Sequence, residues 1–399
     1  MKEKGILNEA ISLKEELIDM RRWLHSNAEV GFNINKTVSF VKDKLEKIGC
    51  EVQNCGNNGL TCLIGKNTDK VFLLRADMDA LPITEETDLS FSCPDNAMHA
   101  CGHDMHTTML LGAAIILKEH EDELQGSVKL MFQPAEEILS GSKNMIENGI
   151  LENPKVNAGM MIHVLAAQPM KSGVTVVSNG VSAPSAEYFT ISVHGRSSHG
   201  SAPQEAVDAL TIASHIVIAL QEISARELGF SDEALITIGT MKSGTAGNVI
   251  ADSAILEGTL RVYDEALKET VKKRIVEICE GIATAFRGKV DVVYGNGCPT
   301  LLNNEELSEK ITEYSKELLS TDCVINAKDI KGSSKSGGSE DFAYISHEIP
   351  TVMLALCAGD RADGFKCPLH HPKCTFDENV LPIGAALHAY NAIKWLENN

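Results

Sequence analysis

VFLLRAD, residues 71–77, decides the fold. Val71, Phe72, Leu73 and Leu74 are apolar without alternation, so an extended chain here is apolar on both sides. Such a strand belongs in a sheet whose two faces are both covered by helices. Working outward, similar runs recur at LTCLIG (60–65), SVKLMF (127–132), AGMMIHV (158–164) and TVMLALC (351–357). The segments between them carry the helical period instead. Leu13, Leu17, Met20 and Leu24 share one face; Val38, Val41, Leu45 and Ile48 share another, with Gly49 as the stop. Further helices are expected at about Thr107 to His120, Lys143 to Asn148, Glu305 to Leu319 and Ile383 to Leu396. Strands alternating with helices predict an α/β fold with a covered sheet.

Between Glu187 and Tyr294 the order changes. EYFTISV reads as a strand, DALTIASHIVIALQEIS as a helix, ALITIGTM and SAILEGTLRVY as strands, Glu265 to Phe286 as a long helix, and KVDVVY as a strand. That order is βαββαβ, the ferredoxin-like split unit. The α/β pattern resumes after it. The expected organisation is a discontinuous α/β domain, residues 1–184 and 296–399, with a ferredoxin-like domain inserted at 185–295.

The chain has 399 residues, enough for two or three domains. Lys+Arg total 36 against 55 Asp+Glu, a formal charge of −19, which disfavours nucleic acid and anionic membranes as partners. No apolar run approaches the ~18 residues that span a bilayer; MLLGAAIIL (109–117) reads as a buried helix. The first residues lack the apolar core of a signal peptide, and eleven cysteines without framework spacing suit a reducing compartment. A cytoplasmic location is the expectation.

Chemistry-bearing residues gather near the predicted strand ends, where open sheets place their sites. Asp77 and Asp79 close VFLLRAD. Cys101, His103 and His106 lie in HACGHDMH (99–106). Glu136 and Glu137 follow SVKLMF. His163 stands in an apolar strand, His370 and His371 precede a proline, and GSEDF (338–342) adds two acids. Cys-x-His around a glycine can aim a thiolate and an imidazole at one metal ion, or it can be a thiol with its base. Adjacent carboxylates allow one to bind metal while the other takes a proton from water. Taken singly, each of these residues also has an ordinary structural reading. Together they supply the ligands of two ions sharing a water better than those of one closed zinc site.

These motifs also resemble a known family. RRWLH with Glu29 and Phe32, RADMDALP (75–82), HACGHDMH (99–106), FQPAEE (132–137), IHV (162–164), SSHGSAP (197–203), NVIADSAILEGTLR (248–261), GGSEDF (337–342) and LHHP (369–372) are similar, in this order, to the aminoacylase/carboxypeptidase group of dinuclear metallohydrolases. The resembling branch includes hippurate hydrolase, the auxin-conjugate (indole-acetyl-amino-acid) hydrolases and N-acetyl-diaminopimelate deacetylase. The resemblance implies a metallopeptidase-type catalytic domain with a lid that also dimerises.

It implies Cys101, His103, Glu137, His163 and His370 as ligands of two divalent ions (Zn, Mn, Co or Ni), with Cys101 bridging. Glu136 would be the general base and Asp79 the supporting carboxylate. His199 would polarise the scissile carbonyl from the lid, while Asn248 and Arg261 would hold the polar end and carboxylate of the substrate. Asp77 stands where other branches carry a histidine ligand and is left out of the set. The expected activity is hydrolysis of N-acyl-L-amino acids by a homodimer or higher homo-oligomer, on small substrates and with no nucleic-acid or membrane partner. A dipeptidase or carboxypeptidase of the same group is the alternative, and a non-catalytic metal carrier the more distant one. Gln204 and Ala251 depart from the family's usual Pro-His and Asn-Val-Ile-Pro and bear on substrate preference.

Overall fold

The computed structural model describes residues 3–330 and 337–399. These form two compact units, one of residues 3–182, 302–330 and 341–399, the other of residues 183–301 and 337–340.

The first unit is built on an eight-stranded mixed sheet. Its centre is four parallel strands in the order Ser127–Gln133, Val71–Asp77, Ala158–Leu165 and Thr351–Cys357. Leu60–Ile64 adds antiparallel outside Ser127–Gln133, and Thr175–Val177 antiparallel outside Thr351–Cys357. Every residue of Val71–Asp77 is buried, as its two apolar faces require. Arg75 and Asp77 are buried with them and must be paired. The helices Glu3–Ser12, Lys14–Ser26, His103–Glu119 and Leu381–Asn398 pack together beside the sheet, with Leu17, Leu110, Ala114, Leu387 and Ile393 in one core.

Two local expectations change. The expected first helix is interrupted at Leu13, between Glu3–Ser12 and Lys14–Ser26. The helix expected from Thr107 starts at His103. Its first turn holds His103, Asp104 and His106, all buried polar groups that an apolar period does not mark.

The second unit is a four-stranded antiparallel sheet ordered Ala234–Ser243, Ser253–Val262, Ser185–His194, Lys289–Cys298. Helices Ala209–Glu222 and Glu265–Ala285 bury Ile212, Ile216, Val271 and Ile275 against Phe189, Ile191 and Leu256. Element order and strand order are those of the βαββαβ unit. Asp208 and Asp264 cap the two helices with their carboxylates. Among the described residues, no helix is long and apolar enough to cross a membrane.

Candidate metal centre

The parallel register brings three chain segments to one edge of the first unit's sheet. Asp77 pairs with Gln133, so residues 77–79 and 133–137 leave their strands side by side. His163 lies near the carboxyl end of the neighbouring strand. The loop before helix His103–Glu119 brings Cys101 and His103 to the same place. Gly102 between them has φ +90°, and a Cβ there would stand 2.3 Å from Val164 Cγ2. Only glycine passes through so tight a gap in that conformation.

The donor atoms converge. Cys101 Sγ lies 3.5 Å from His163 Nε2. His103 Nε2 lies 3.8 Å from both Glu136 Oε2 and Glu137 Oε1. His370 Nε2 is 3.7 Å from Glu137 Oε1. Cys101 belongs to two mutually close triads, one with His103 and His163, the other with Glu137 and His370. One thiol is thus shared by two sets of donors. His371, the neighbour of His370, instead accepts at Nδ1 from the Lys373 N–H at 3.0 Å. His370 has φ +64° and Ala135 φ +56°, left-handed positions for non-glycine residues at the edges of the site. Such strain collects where the chain must aim a side chain.

The rings are held for ligation. His103 Nδ1 donates to the Asp79 carbonyl at 2.7 Å, and His163 Nδ1 to the Val164 carbonyl at 2.7 Å. Both rings therefore turn Nε2 toward the other donors, the arrangement in which a carbonyl fixes the tautomer of a ligand histidine. Among the described residues His103 Nε2 is buried with no hydrogen-bond partner, a nitrogen that a cation would satisfy. Burial pushes the Cys101 thiol well up, and the charge of Glu137 adds to it. Burial alone would lower His103, but Asp77 and its hydrogen bond to Asp79 hold it well above the usual imidazole range. Burial lowers His370, and His103 and His163 lower it further. The donor set of one thiol, three imidazoles and a carboxylate fits divalent metal ions.

Asp79 is buried beneath the centre. Its Oδ1 accepts from the Glu136 N–H at 2.9 Å and its Oδ2 from the Glu137 N–H at 3.3 Å. It thereby fixes the turn that presents both glutamates, and through its carbonyl the ring of His103. Asp77 serves a different network. Its Oδ2 accepts from Arg75 at 2.7 Å and its Oδ1 from His106 Nδ1 at 2.6 Å. Arg75 also reaches Gln133 and Asp341, and Asp341 accepts from Gln133 and from the Ser142 N–H.

A second buried network lies in the same unit. Asp104 Oδ2 is 2.8 Å from both Arg21 Nε and His25 Nδ1, and His25 Nε2 is 3.2 Å from Glu85. The family resemblance includes RRWLH as a motif and assigns no task to Arg21 or His25. The signal was a pair of charged residues on the apolar face of a helix: Arg21 and His25 are buried beside Leu17 and Leu24.

His199, Asn248 and Arg261 lie in the second unit. His199 pairs with Val249 in a short ribbon, and Gly200 N–H donates to the Asn248 carbonyl at 2.7 Å. His199 Nδ1 accepts from the Ser201 N–H at 3.1 Å and faces Ser201 Oγ at 2.7 Å. A backbone N–H can only donate, so the neutral ring carries its proton on Nε2. Arg261 donates to Ser339 Oγ at 2.5 Å. In continuous register, Ser253 stands opposite His194 and Arg261 opposite Ala186, so Arg261 is eight residues from the strand end nearer His199. That separation is roughly 26 Å along the strand.

A mixed sheet with a Cys/His/Glu donor set that runs from buried Cys101 and His103 to exposed His370 at the carboxyl ends of its strands, and a carboxylate beside the donors, is the arrangement of a metal-dependent hydrolase. The chain belongs to peptidase family M20/M25/M40, whose family model matches residues 73–393. It is 36% identical to the IAA-amino acid hydrolase ILR1-like 2 of Arabidopsis thaliana, over 96% of this chain and 85% of that protein. It is 35% identical to thermostable carboxypeptidase 1 of Saccharolobus solfataricus, over 97% of each. The crystal structure of the Bacillus subtilis YXEP protein, a dinuclear metal binding peptidase from the M20 family, superposes with a TM-score of 0.80 at 30% identity, covering 97% of this chain and 99% of that one.

Proposed function

We propose that the protein hydrolyses N-acyl-L-amino acids to a carboxylic acid and a free amino acid. The observation that carries this reading is Glu136, a buried carboxylate whose backbone is fixed by Asp79 and which stands 3.8 Å from His103, beside the donors. Cys101, His103, Glu137, His163 and His370 would hold two divalent ions, with Cys101 shared. Such ions, when bound, supply Lewis acidity and a water acidic enough to ionise near neutral pH.

Glu136 takes the proton of the attacking water and returns it to the nitrogen of the leaving amino acid. His199 donates from Nε2 to the carbonyl oxygen as negative charge grows on it. Arg261 grips the α-carboxylate with its two-pronged guanidinium, and Asn248 holds the polar end of the acyl amide.

The eight residues of strand between Arg261 and the end nearer His199 support a reading in which His199 serves the site of a second copy and the active form is a homodimer or higher oligomer through residues 185–295. The auxin-conjugate hydrolase among the relatives supports an acyl-amino-acid substrate; the carboxypeptidase supports a peptide as the second reading.

The test is reconstitution. Chelator-stripped protein would receive Zn, Mn, Co or Ni singly and be offered acetyl-, benzoyl- and indole-acetyl-amino acids and dipeptides, with amine release recorded. Metal-restored release from acyl amino acids supports the proposal. Release from dipeptides alone supports the peptidase reading. Two bound ions with no release from any substrate point to a metal carrier.

A further inference from the structure

We infer that His106 is a positioning residue that aims His163 at Cys101 by holding the peptide of Val164. Strand Ala158–Leu165 pairs with Val71–Asp77 only as far as Met161, opposite Arg75. Beyond that point the ladder on this side ends, and a side chain takes its place. The Val164 N–H donates to His106 Nε2 at 2.8 Å. Since Nε2 accepts, the proton of His106 is on Nδ1, where it donates to Asp77 Oδ1 at 2.6 Å. Arg75 holds the other oxygen of Asp77 at 2.7 Å and keeps the carboxylate from turning.

The carbonyl of the same Val164 accepts from His163 Nδ1 at 2.7 Å, which leaves His163 Nε2 facing Cys101 at 3.5 Å. The His106 ring also stands edge-on to the His163 ring, with centroids 4.7 Å apart. Arg75, Asp77, His106, Val164 and His163 form one buried relay of hydrogen bonds. Both ring nitrogens of His106 are used within it, so His106 serves His163 without being a ligand. Asp77 is the carboxylate that sets the tautomer.

Two substitutions separate the ends of the ring. In His106→Gln the amide oxygen reaches the place of Nε2 and still accepts from Val164. In His106→Asn the amide nitrogen replaces Nδ1, still donates to Asp77, and leaves the Val164 N–H without an acceptor. The apoprotein of each would be titrated with Co(II), following calorimetry and the absorption band of a thiolate-bound ion.

His106→Gln should bind both ions within about threefold of wild type and keep the band, whereas His106→Asn should lose about 10- to 100-fold at one ion only. Wild-type affinity in His106→Asn overturns the inference. So does equal weakening in both variants, because ring volume rather than the acceptor would then matter. Circular dichroism checks folding. If neither variant folds, wild-type protein labelled with 15N-histidine decides: a proton on Nδ1 of His106 supports the relay, and a proton on Nε2 overturns it. The inference rests on His163 as a ligand. Wild-type protein that takes up no Co(II) would count against that ligand set, and the tautomer measurement would still judge the relay.

Discussion

Mixing two inactive variants should restore about a quarter of wild-type activity if His199 and Arg261 of one site come from different copies. In the proposed mechanism His199→Ala would remove the donor to the developing oxyanion, a loss on the order of 10²–10³ in kcat. Arg261→Ala would remove the proposed grip on the carboxylate. Within one copy of residues 183–301, Arg261 lies toward the end of its strand away from the His199 ribbon. The strand Ser253–Val262 runs in unbroken register along Ser185–His194, and Arg261 is eight residues from Ser253. That is roughly 26 Å, and the ribbon carrying His199 starts beyond the Ser253 end.

In a two-fold dimer each site would then take one residue from each copy. After subunit exchange in an equal mixture, half the dimers are mixed. One of the two sites in a mixed dimer carries both lesions, and the other carries neither. About a quarter of all sites are therefore intact. The assay is amine release by the single variants and by the exchanged mixture, with mixed dimers counted by native mass spectrometry. If both residues served one site within a chain, every site in a mixed dimer would be damaged. A mixture that stays at the level of its parents, with mixed dimers present, would refute the reasoning.

Glu136→Gln should bind two ions as wild type does and lose about 10²- to 10⁴-fold in kcat, the usual weight of a general base; elemental analysis with steady-state kinetics checks both, and near-wild-type turnover would remove Glu136 from that role. Cys101→Ser should weaken both ions, because Cys101 is common to the two donor triads; full occupancy of two ions by elemental analysis would take Cys101 out of the set. His388 is buried with neither ring nitrogen bonded, and burial, with His106, pushes its pKa down to about 3. The unfolded chain binds this proton below about pH 6.5 and the folded chain does not, so stability is full above that pH and falls with acid. His388→Leu should therefore lose about 2 kcal/mol less than wild type between pH 7 and pH 5, measured by urea unfolding, whereas equal losses would mean that the ring charges in the folded protein.

Much of this protein is written locally. Val71–Asp77 is buried throughout because Val71, Phe72, Leu73 and Leu74 are apolar on both sides of the strand, and that property is visible in four letters. The βαββαβ insertion shows itself because period 2 and period 3.6 alternate over residues 187–294. The motifs carrying Cys101, His103, Glu136, Glu137 and His163 are legible because the chemistry needs those residue types beside strand ends.

Tertiary structure decided what spacing does not carry. Whether His370 or His371 turns to Cys101 depends on a backbone at φ +64°, while His371 closes the next turn. The tasks of Asp79 and Asp77, two residues apart, diverge because one meets the N–H groups of Glu136 and Glu137 and the other meets Arg75 and His106. Arg21 and His25 fall on the apolar face of a helix, but their partner Asp104, 79 positions after His25, is fixed only when the chain folds. A sequence records local periodicity and residue chemistry directly. It leaves the pairing of buried polar groups to contacts between distant segments, and only the folded chain brings those segments together.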